Sequence, residues 1–278
     1  VGSGSHARQT GMMLERIEAL LLKEKPGIVV VYGDTNSTLA GALAAAKLGL
    51  PVAHVEAGLR SYIRKMPEEV NRLLTDHLST LLLCPTRQAI RNLTREGIKN
   101  GNKRLVKNVG DVMYDSVLYY SKLAEKKSTI LHDLNLVIPH SLPVRQAGAI
   151  RNPQYYLATL HRAENTDDPE RLESILKALD EIGKDTPVIF PLHPRTKKMM
   201  KIYRLLRVSK RIRWIDPVSY LDMLTLEKNA RGILTDSGGV QKEAYWFKVP
   251  CLTLREETEW METVKSGWNV LVGPEVKK

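Results

Sequence analysis

The chain has 278 residues, 43% of them hydrophobic and 26% charged, which is the balance of a soluble globular protein long enough for two domains. No run of about 18 apolar residues and no basic lead into a short apolar segment is visible, so we expect a cytoplasmic protein without a membrane span. The net charge of +11 is spread among acidic residues, which argues against nucleic-acid binding. Cys84 and Cys251 have no metal-ligand spacing, and we expect buried, reduced thiols.

Apolar runs that predict strands alternate with amphipathic stretches that predict helices along the first part of the chain. Helices are predicted at residues 6–25, 35–48, 67–78, 86–96 and 111–126, and strands at residues 28–32, 52–55, 80–84 and 105–109. This βαβα order implies a parallel sheet that is covered by helices on both faces.

The periodic pattern fails between residues 127 and 152, where prolines and polar residues are typical of a connection between domains. The alternation then resumes, with strands predicted at residues 154–160, 187–191, 211–215, 232–234, 249–254 and 269–272. We therefore predict an α/β fold with two Rossmann-like parallel-sheet domains, residues 1–128 and 129–278, that face each other across a cleft.

Acidic residues follow the first two predicted strands at the point where each strand ends. Asp34 comes after the first strand, Glu56 comes after the second, and Glu68 begins the next helix. In an open parallel sheet the ligand lies outside the carboxyl ends of the strands, so we expect these carboxylates to line a site. Two alternatives stay open. Asp34 and Glu68 could only stabilise the starts of helices, and Arg72, one turn after Glu68, could form only a surface ion pair with it.

A glycine-rich turn opens a helix after the strand predicted at residues 232–234. Ser237, Gly238 and Gly239 would let a phosphate approach the free N–H groups of the first helical turn, where the helix dipole attracts anions. Glu243 on the same helix would suit sugar or ribose hydroxyls, because a carboxylate repels phosphate. The alternative is a simple helix cap followed by a tight turn.

Basic side chains also follow strands in the second half. His161 could donate to a leaving phosphate oxygen, and Arg162 could balance the charge of a diphosphate. His193 has a similar placement, but a lone histidine at a strand end is often only a structural hydrogen-bonding group. Arg255 opens a charged run that could equally be a solvated loop. No set of His, Asp and Glu residues has a recognised metal-ligand spacing, so no metal site is predicted.

In these motifs the chain resembles the non-hydrolysing UDP-N-acetylglucosamine 2-epimerases, which share the two-Rossmann architecture of GT-B glycosyltransferases. The resemblance covers nearly the whole chain. It is carried by residues 3–11, 33–38, 54–60, 67–72, 110–112, 161–162, 236–239 and 257–259. It implies reversible inversion at C2 of UDP-N-acetylglucosamine, giving UDP-N-acetylmannosamine, through elimination of UDP to a 2-acetamidoglucal and re-addition of UDP.

The resemblance also implies roles for individual residues. The family's acid/base carboxylates correspond to Asp34, Glu56 and Glu68. Charge support and UDP handling correspond to Arg72 and His161. The family's nucleotide-contacting helix start corresponds to Ser237, Gly238, Gly239 and Glu243, and Arg255 is a weaker match to a substrate-binding position. Arg162, expected to balance the diphosphate charge, is the remaining substrate-binding candidate. The reaction implies no cofactor, and we expect a homodimer that takes a UDP-sugar as substrate and binds neither nucleic acid nor membranes.

Two other functions stay open: a GT-B glycosyltransferase, and a catalytically impaired fragment that binds a nucleotide sugar. The second is suggested by the start of the chain, because the family opens with a strand and a Gly-Thr-Arg-Pro-Glu type turn. We expect this chain to begin after that segment, with an incomplete first domain. Trp260 and Met261 also stand where many bacterial members have Arg-Pro. The sugar could be N-acetylglucosamine or a 2,3-diacetamido uronic acid.

Overall fold

The computed structural model describes residues 4–136, 155–206 and 209–273. The chain divides into two compact units, Val1–Met113 and Tyr114–Lys278, and each unit contains one parallel sheet. The predicted alternation of strands and helices is therefore confirmed. The division falls before the boundary predicted after residue 128, because the helix over residues 112–127 packs with helices of the second unit.

The first unit is a four-stranded parallel sheet with helices between its strands. Its elements are α1 (His6–Glu24), β1 (Val29–Tyr32), α2 (Asn36–Lys47), β2 (Val52–Val55), α3 (Pro67–Leu78), β3 (Leu81–Cys84), α4 (Arg87–Arg95) and β4 (Leu105–Asn108). The strands lie in the order β1-β2-β3-β4, with Tyr32 opposite Val55 at the carboxyl ends of β1 and β2. Small residues let α2 approach the sheet closely, since a Cβ on Gly41 would lie 3.1 Å from Cγ1 of Val31.

The second unit is a six-stranded parallel sheet. Its elements are α5 (Val112–Lys127), α6 (Ile130–Asp133), β5 (Tyr156–Thr159), α7 (Ala163–Thr166), α8 (Pro169–Ile182), β6 (Val188–Pro191), α9 (Pro194–Ile202), β7 (Ile212–Ile215), α10 (Tyr220–Lys228), β8 (Gly232–Thr235), α11 (Gly238–Phe247), β9 (Cys251–Thr253), α12 (Met261–Lys265) and β10 (Asn269–Leu271). The strand order is β10-β9-β8-β5-β6-β7. Because β5 lies between β8 and β6, the direction of winding reverses there, and ligands of open α/β sheets bind at such a switch point.

Helices cover both faces of the second sheet. On one face Leu172 and Leu176 of α8 are fully buried against Phe190 of β6. On the other face Ile189 of β6 and Ile233 of β8 belong to a second buried cluster. The neighbours Ile189 and Phe190 thus serve opposite faces, as the alternation along a strand requires. Each such buried side chain contributes about 1.5–3 kcal/mol relative to its exposed state.

The start of the predicted connection is helical rather than irregular. Ile130 and Leu131 of α6 pack against the buried cluster of the second unit that contains Ile189. The prediction of an irregular connection is therefore wrong over α6, because apolar side chains there have a core to pack on. Residues 137–152 of that predicted connection lie outside the described residues.

The two cysteines are buried and free, as the sequence predicts. Burial raises the pKa of the Cys84 thiol and of the Cys251 thiol to about 12, so both stay protonated at neutral pH. Across the described parts of the chain, no helix has both the length and the apolar character that crossing a bilayer requires.

Candidate active site

The carboxyl ends of β1 and β2 bring Asp34 and Glu56 to neighbouring turns. Glu56 directly follows β2 and has a left-handed backbone with a φ of 71°. A Cβ on Gly33, the residue before Asp34, would lie 3.6 Å from Oε2 of Glu56. The Glu56 carboxylate therefore lies over the turn that carries Asp34. A left-handed backbone costs a residue other than glycine about 1–3 kcal/mol, so the surrounding structure must hold Glu56 in place.

Arg72 of α3 is enclosed and joins acidic groups from two elements. Its side chain is 2% exposed, its Nη1 donates to Oδ2 of Asp34 over 2.9 Å, and its Nη2 lies 3.1 Å from Oε2 of Glu69. The interpretation of Arg72 as forming only a surface ion pair is therefore wrong. The N-cap of α2 is Thr35, so the interpretation of Asp34 as that cap is wrong as well.

The two glutamates that open α3 have different surroundings. Glu69 is 1% exposed, and its carboxylate accepts the backbone N–H groups of Ser61 and Tyr62 over 2.9 and 3.0 Å. Glu68 is half-buried in the same first turn. Glu69 thus ties the loop after β2 to α3. The sequence does not reveal this role, because a backbone partner leaves no trace in the pattern of residue types.

An open cavity of about 480 Å³ adjoins this cluster within the first unit. Residues of α1, α2 and α3 line it, among them His6, Asn36 and Asn71. Nδ2 of Asn71 donates to the backbone carbonyl of Asp34 over 2.9 Å. The cavity therefore lies beside the Asp34 turn and offers space for a ligand there.

In the second unit, a buried aspartate joins the ends of β5 and β8. The carboxylate of Asp236 accepts the backbone N–H groups of His161 and Arg162 over 3.1 and 2.9 Å, and Nδ2 of Asn165 over 3.1 Å. It is fully buried. Asp236 therefore fixes the turn that presents His161 and Arg162 beside the start of α11. Asp236 is not among the candidate site residues predicted from the sequence, although its place between a strand and the Ser-Gly-Gly turn is a signal for it.

His161 is partly open to solvent, with its side chain 34% exposed. Its Nδ1 lies 3.5 Å from Oδ1 of Asp236, and its ring lies 5.1 Å from the ring of His193. Burial lowers the pKa of His161, although the charge of Asp236 opposes this shift. A neutral ring at neutral pH can both donate and accept hydrogen bonds.

The helix α11 begins directly after the Ser237 turn, as the sequence predicts. Ser237 is the N-cap, and its Oγ accepts the N–H of Val240 over 3.4 Å. A Cβ on Gly238 would lie 2.9 Å from Oε1 of Glu259 and 3.2 Å from Nε1 of Trp260, so the position suits glycine. The cap and the anion-binding turn are compatible, since the N–H groups of Gly238 and Gly239 begin the helix.

Glu243 lies in a cluster with a second acidic residue and a tyrosine. The hydroxyl of Tyr220 donates to Oε1 of Glu243 over 3.0 Å, and Glu227 nearby is fully buried. Burial raises the pKa of both carboxyl groups, and the charge of Glu243 raises that of Glu227 further. Nowhere in the described residues do three or more His, Cys, Asp or Glu side chains group as metal ligands would.

The charged run after β9 is folded into the second unit. Arg255 is 1% exposed, with Nη1 3.3 Å from Oε2 of Glu259 and Nε 3.7 Å from Oε2 of Glu164. Nζ of Lys242 lies 3.9 Å from the ring centroid of Trp260, which is also buried. The interpretation of this run as a solvated loop is therefore wrong at Arg255 and Trp260.

A comparison with protein families identifies the family to which this chain belongs. The model for UDP-N-acetylglucosamine 2-epimerase matches residues 1–278. The chain belongs to the UDP-N-acetylglucosamine 2-epimerase family. It is 56% identical over 282 residues to the UDP-N-acetylglucosamine 2-epimerase homolog of Methanococcus maripaludis, covering 100% of this chain and 73% of the relative.

Two further relatives define the family setting. The solved UDP-GlcNAc 2-epimerase of Methanocaldococcus jannaschii, in complex with UDP-GlcNAc and UDP, matches with a TM-score of 0.86 and 52% identity, over 99% of this chain and 72% of that one. The UDP-2,3-diacetamido-2,3-dideoxy-D-glucuronate 2-epimerase of Pseudomonas aeruginosa is 51% identical, over 98% of this chain and 71% of the relative. The predicted family, the GT-B-like α/β fold with two parallel sheets and the epimerase class are thus confirmed.

Proposed function

We propose that this epimerase interconverts UDP-N-acetylglucosamine and UDP-N-acetylmannosamine by reversible elimination and re-addition of UDP. The observation that carries the proposal is the placement of Asp34 and Glu56 on adjacent turns, with Arg72 buried against Asp34. Inversion at C2 requires a proton to leave one face of the sugar and another to arrive on the opposite face. Two carboxyl groups on neighbouring strand ends can serve the two faces.

The bond changes of this reaction balance without a cofactor. A carboxylate takes the C2 proton while the C1–O bond breaks, so the C–H electron pair becomes the C1–C2 double bond and UDP leaves with the C–O pair. In the return, a carboxylic acid protonates C2 on the other face, and UDP oxygen bonds again to C1. The C2 proton is weakly acidic, so its removal must be coupled to departure of UDP. Glu68 is the third acid/base carboxylate of the proposal, and Arg72 orients Asp34.

The second unit supplies the groups suited to the leaving UDP. The diphosphate would meet the N–H groups of Gly238 and Gly239 after Ser237, as anions do at helix starts. Glu243 would accept hydrogen bonds from the ribose hydroxyls, and His161 would donate a hydrogen bond to the leaving phosphate oxygen. Arg162 and Arg255 are the further substrate-binding residues of the proposal. The homodimer and the cytoplasmic location also stay predictions.

A second substrate is favoured by one observation. The relative named for a UDP-2,3-diacetamido-2,3-dideoxy-D-glucuronate is 51% identical over 98% of this chain, close to the identity with the UDP-GlcNAc enzyme. The same C2 inversion would apply to that sugar. Both nucleotide sugars should therefore be offered in the same assay.

Deuterium incorporation tests the proposed reaction. The chain incubated with UDP-N-acetylglucosamine in deuterated water should yield both C2 epimers with deuterium at C2, as measured by proton NMR and mass spectrometry. Unlabelled substrate without a second epimer, for either sugar, would contradict epimerisation. UDP release only after an acceptor is added would instead indicate a glycosyltransferase, and thermal stabilisation by UDP without turnover would indicate a binding protein.

A further inference from the structure

A buried histidine below the acid/base cluster has hydrogen-bond acceptors at both ring nitrogens. His54 lies in β2, two residues before Glu56, and is fully buried. Its Nδ1 lies 2.7 Å from Oδ1 of Asp76 in α3, and its Nε2 lies 2.8 Å from the backbone carbonyl of Gly33. A carbonyl oxygen only accepts, so Nε2 must carry a proton. The remaining question is whether the proton between the ring and Asp76 lies on the histidine.

The partners of Asp76 place that proton on the ring. Its other oxygen, Oδ2, lies 2.7 Å from Nη1 of Arg60 and accepts the N–H of Gly58 over 3.1 Å. A carboxylate held by a guanidinium and a backbone donor is the ionised form of aspartate. Asp76 therefore acts as an acceptor on both oxygens, and Nδ1 of His54 is the donor.

Charge balance in this buried group supports the same assignment. Arg60 also binds Glu96 in a bidentate pair, with distances of 2.7 and 2.6 Å. Two carboxylates, Asp76 and Glu96, thus share one guanidinium, and the Asp76, Arg60 and His54 side chains are fully enclosed. An uncompensated charge in such a place is expensive. A positively charged His54 makes the group of four electrically neutral.

The same ring holds the turn on which Asp34 lies. The carbonyl of Gly33 accepts from His54, the carbonyl of Asp34 accepts from Asn71 over 2.9 Å, and the Asp34 carboxylate binds Arg72. Because His54 is also two residues before Glu56 on β2, it links the positions of both carboxylates to α3. We propose that His54 is an imidazolium, protonated on both nitrogens, that positions Asp34 and Glu56 for proton transfer.

Nitrogen NMR measures the protonation directly and does not depend on activity. In protein labelled with 15N-histidine, a long-range 1H–15N correlation at neutral pH should show two protonated ring nitrogens for His54, assigned by their loss in His54→Gln. The chain has seven histidines, so the assignment is tractable. A non-protonated nitrogen in the His54 ring would overturn the assignment. In Asp76→Asn the ring should lose one of its two protons.

The positioning role rests on the proposed function and is measured by kinetics. His54→Gln keeps a donor but removes the charge, and we expect C2 deuterium exchange to fall by about a hundredfold, the scale of a small misplacement of reacting groups. UDP affinity should not change, because UDP is assigned to the second unit. His77→Gln is the matched control, since the His77 side chain is exposed on α3 and its Nδ1 contacts the backbone carbonyl of Leu73 in its own helix.

The outcomes separate the two proposals. A folded His54→Gln variant with wild-type exchange would exclude the positioning role. If His54→Gln does not fold, Asp76→Asn takes its place, and wild-type exchange in that variant would have the same meaning. Absence of exchange in the wild-type chain would contradict the proposed epimerisation, while the NMR result would still decide the charge of His54.

Discussion

At the scale of single residues, the first unit uses its buried charges to fix geometry. Arg72 is enclosed between Asp34 and Glu69, although its spacing from Glu68 suggested an exposed pair. Glu69 binds backbone N–H groups of the loop after β2. The sequence identified the acidic positions but not which of two adjacent glutamates is buried, because that depends on residues far away in the chain.

Replacing Glu56 by glutamine tests its assignment as an acid/base group. The amide has nearly the same shape but cannot accept or deliver a proton, so we expect turnover to fall by about 10²–10⁴-fold. UDP binding, measured by calorimetry, should be unchanged. Glu18→Gln is the control, because Glu18 is an exposed acidic residue on α1. Turnover in Glu56→Gln at the wild-type level would remove Glu56 from the mechanism.

At the scale of elements, strand and helix positions followed from the sequence because most strands are short apolar runs between turn residues. The start of α11 followed as well, since Ser237 and two glycines form a local signal. Contacts between residues that are distant in the chain did not follow from the sequence. Asp236 accepts the N–H of His161, which lies 75 residues earlier in the chain, and no local pattern encodes that pairing.

The junction of β2 with α4 depends on one glycine. Gly58 has a φ of +82°, and a Cβ there would lie 2.5 Å from the backbone carbonyl oxygen of Ala89. We expect Gly58→Ala to lower the free energy of unfolding by at least about 2 kcal/mol, because the new Cβ strains the backbone and overpacks the contact with Ala89. Urea denaturation measures this change.

Gly11→Ala provides the matched control for this junction. Gly11 lies inside α1, and a Cβ there would meet nothing within 4 Å. In a helix interior, alanine is more favourable than glycine by about 0.5–1 kcal/mol, so this variant should be slightly more stable than the wild-type chain. Equal stability changes in the two variants would show that the contact with Ala89 is unimportant.

At the scale of the whole molecule, the candidate residues divide between the two units. Asp34, Glu56, Glu68 and Arg72 belong to the first, and the residues proposed for UDP belong to the second. The sequence predicted two sheets and this division of residues. It placed the boundary after residue 128, because the periodicity of a helix does not say which sheet the helix packs on.

Hydrogen exchange can locate the UDP site within the whole chain. A ligand that binds only the native state stabilises it by about 2.7 kcal/mol at 100 times its dissociation constant. With UDP in excess, exchange measured by mass spectrometry should slow at the start of α11 and at the turn after β5. The effect should be lost in Glu243→Gln. Protection confined to the first unit would contradict the assignment of UDP.

The left-handed backbone of Glu56 has a consequence for the way this chain can change. Glycine would adopt a φ of 71° without strain, whereas glutamate maintains it at a cost. Selection for heat resistance alone would therefore favour glycine at this position, whereas the proposed proton transfer requires the carboxylate. Under the proposed function, stability and activity therefore oppose each other at this position, and a chain stabilised there by loss of the carboxylate would be inactive.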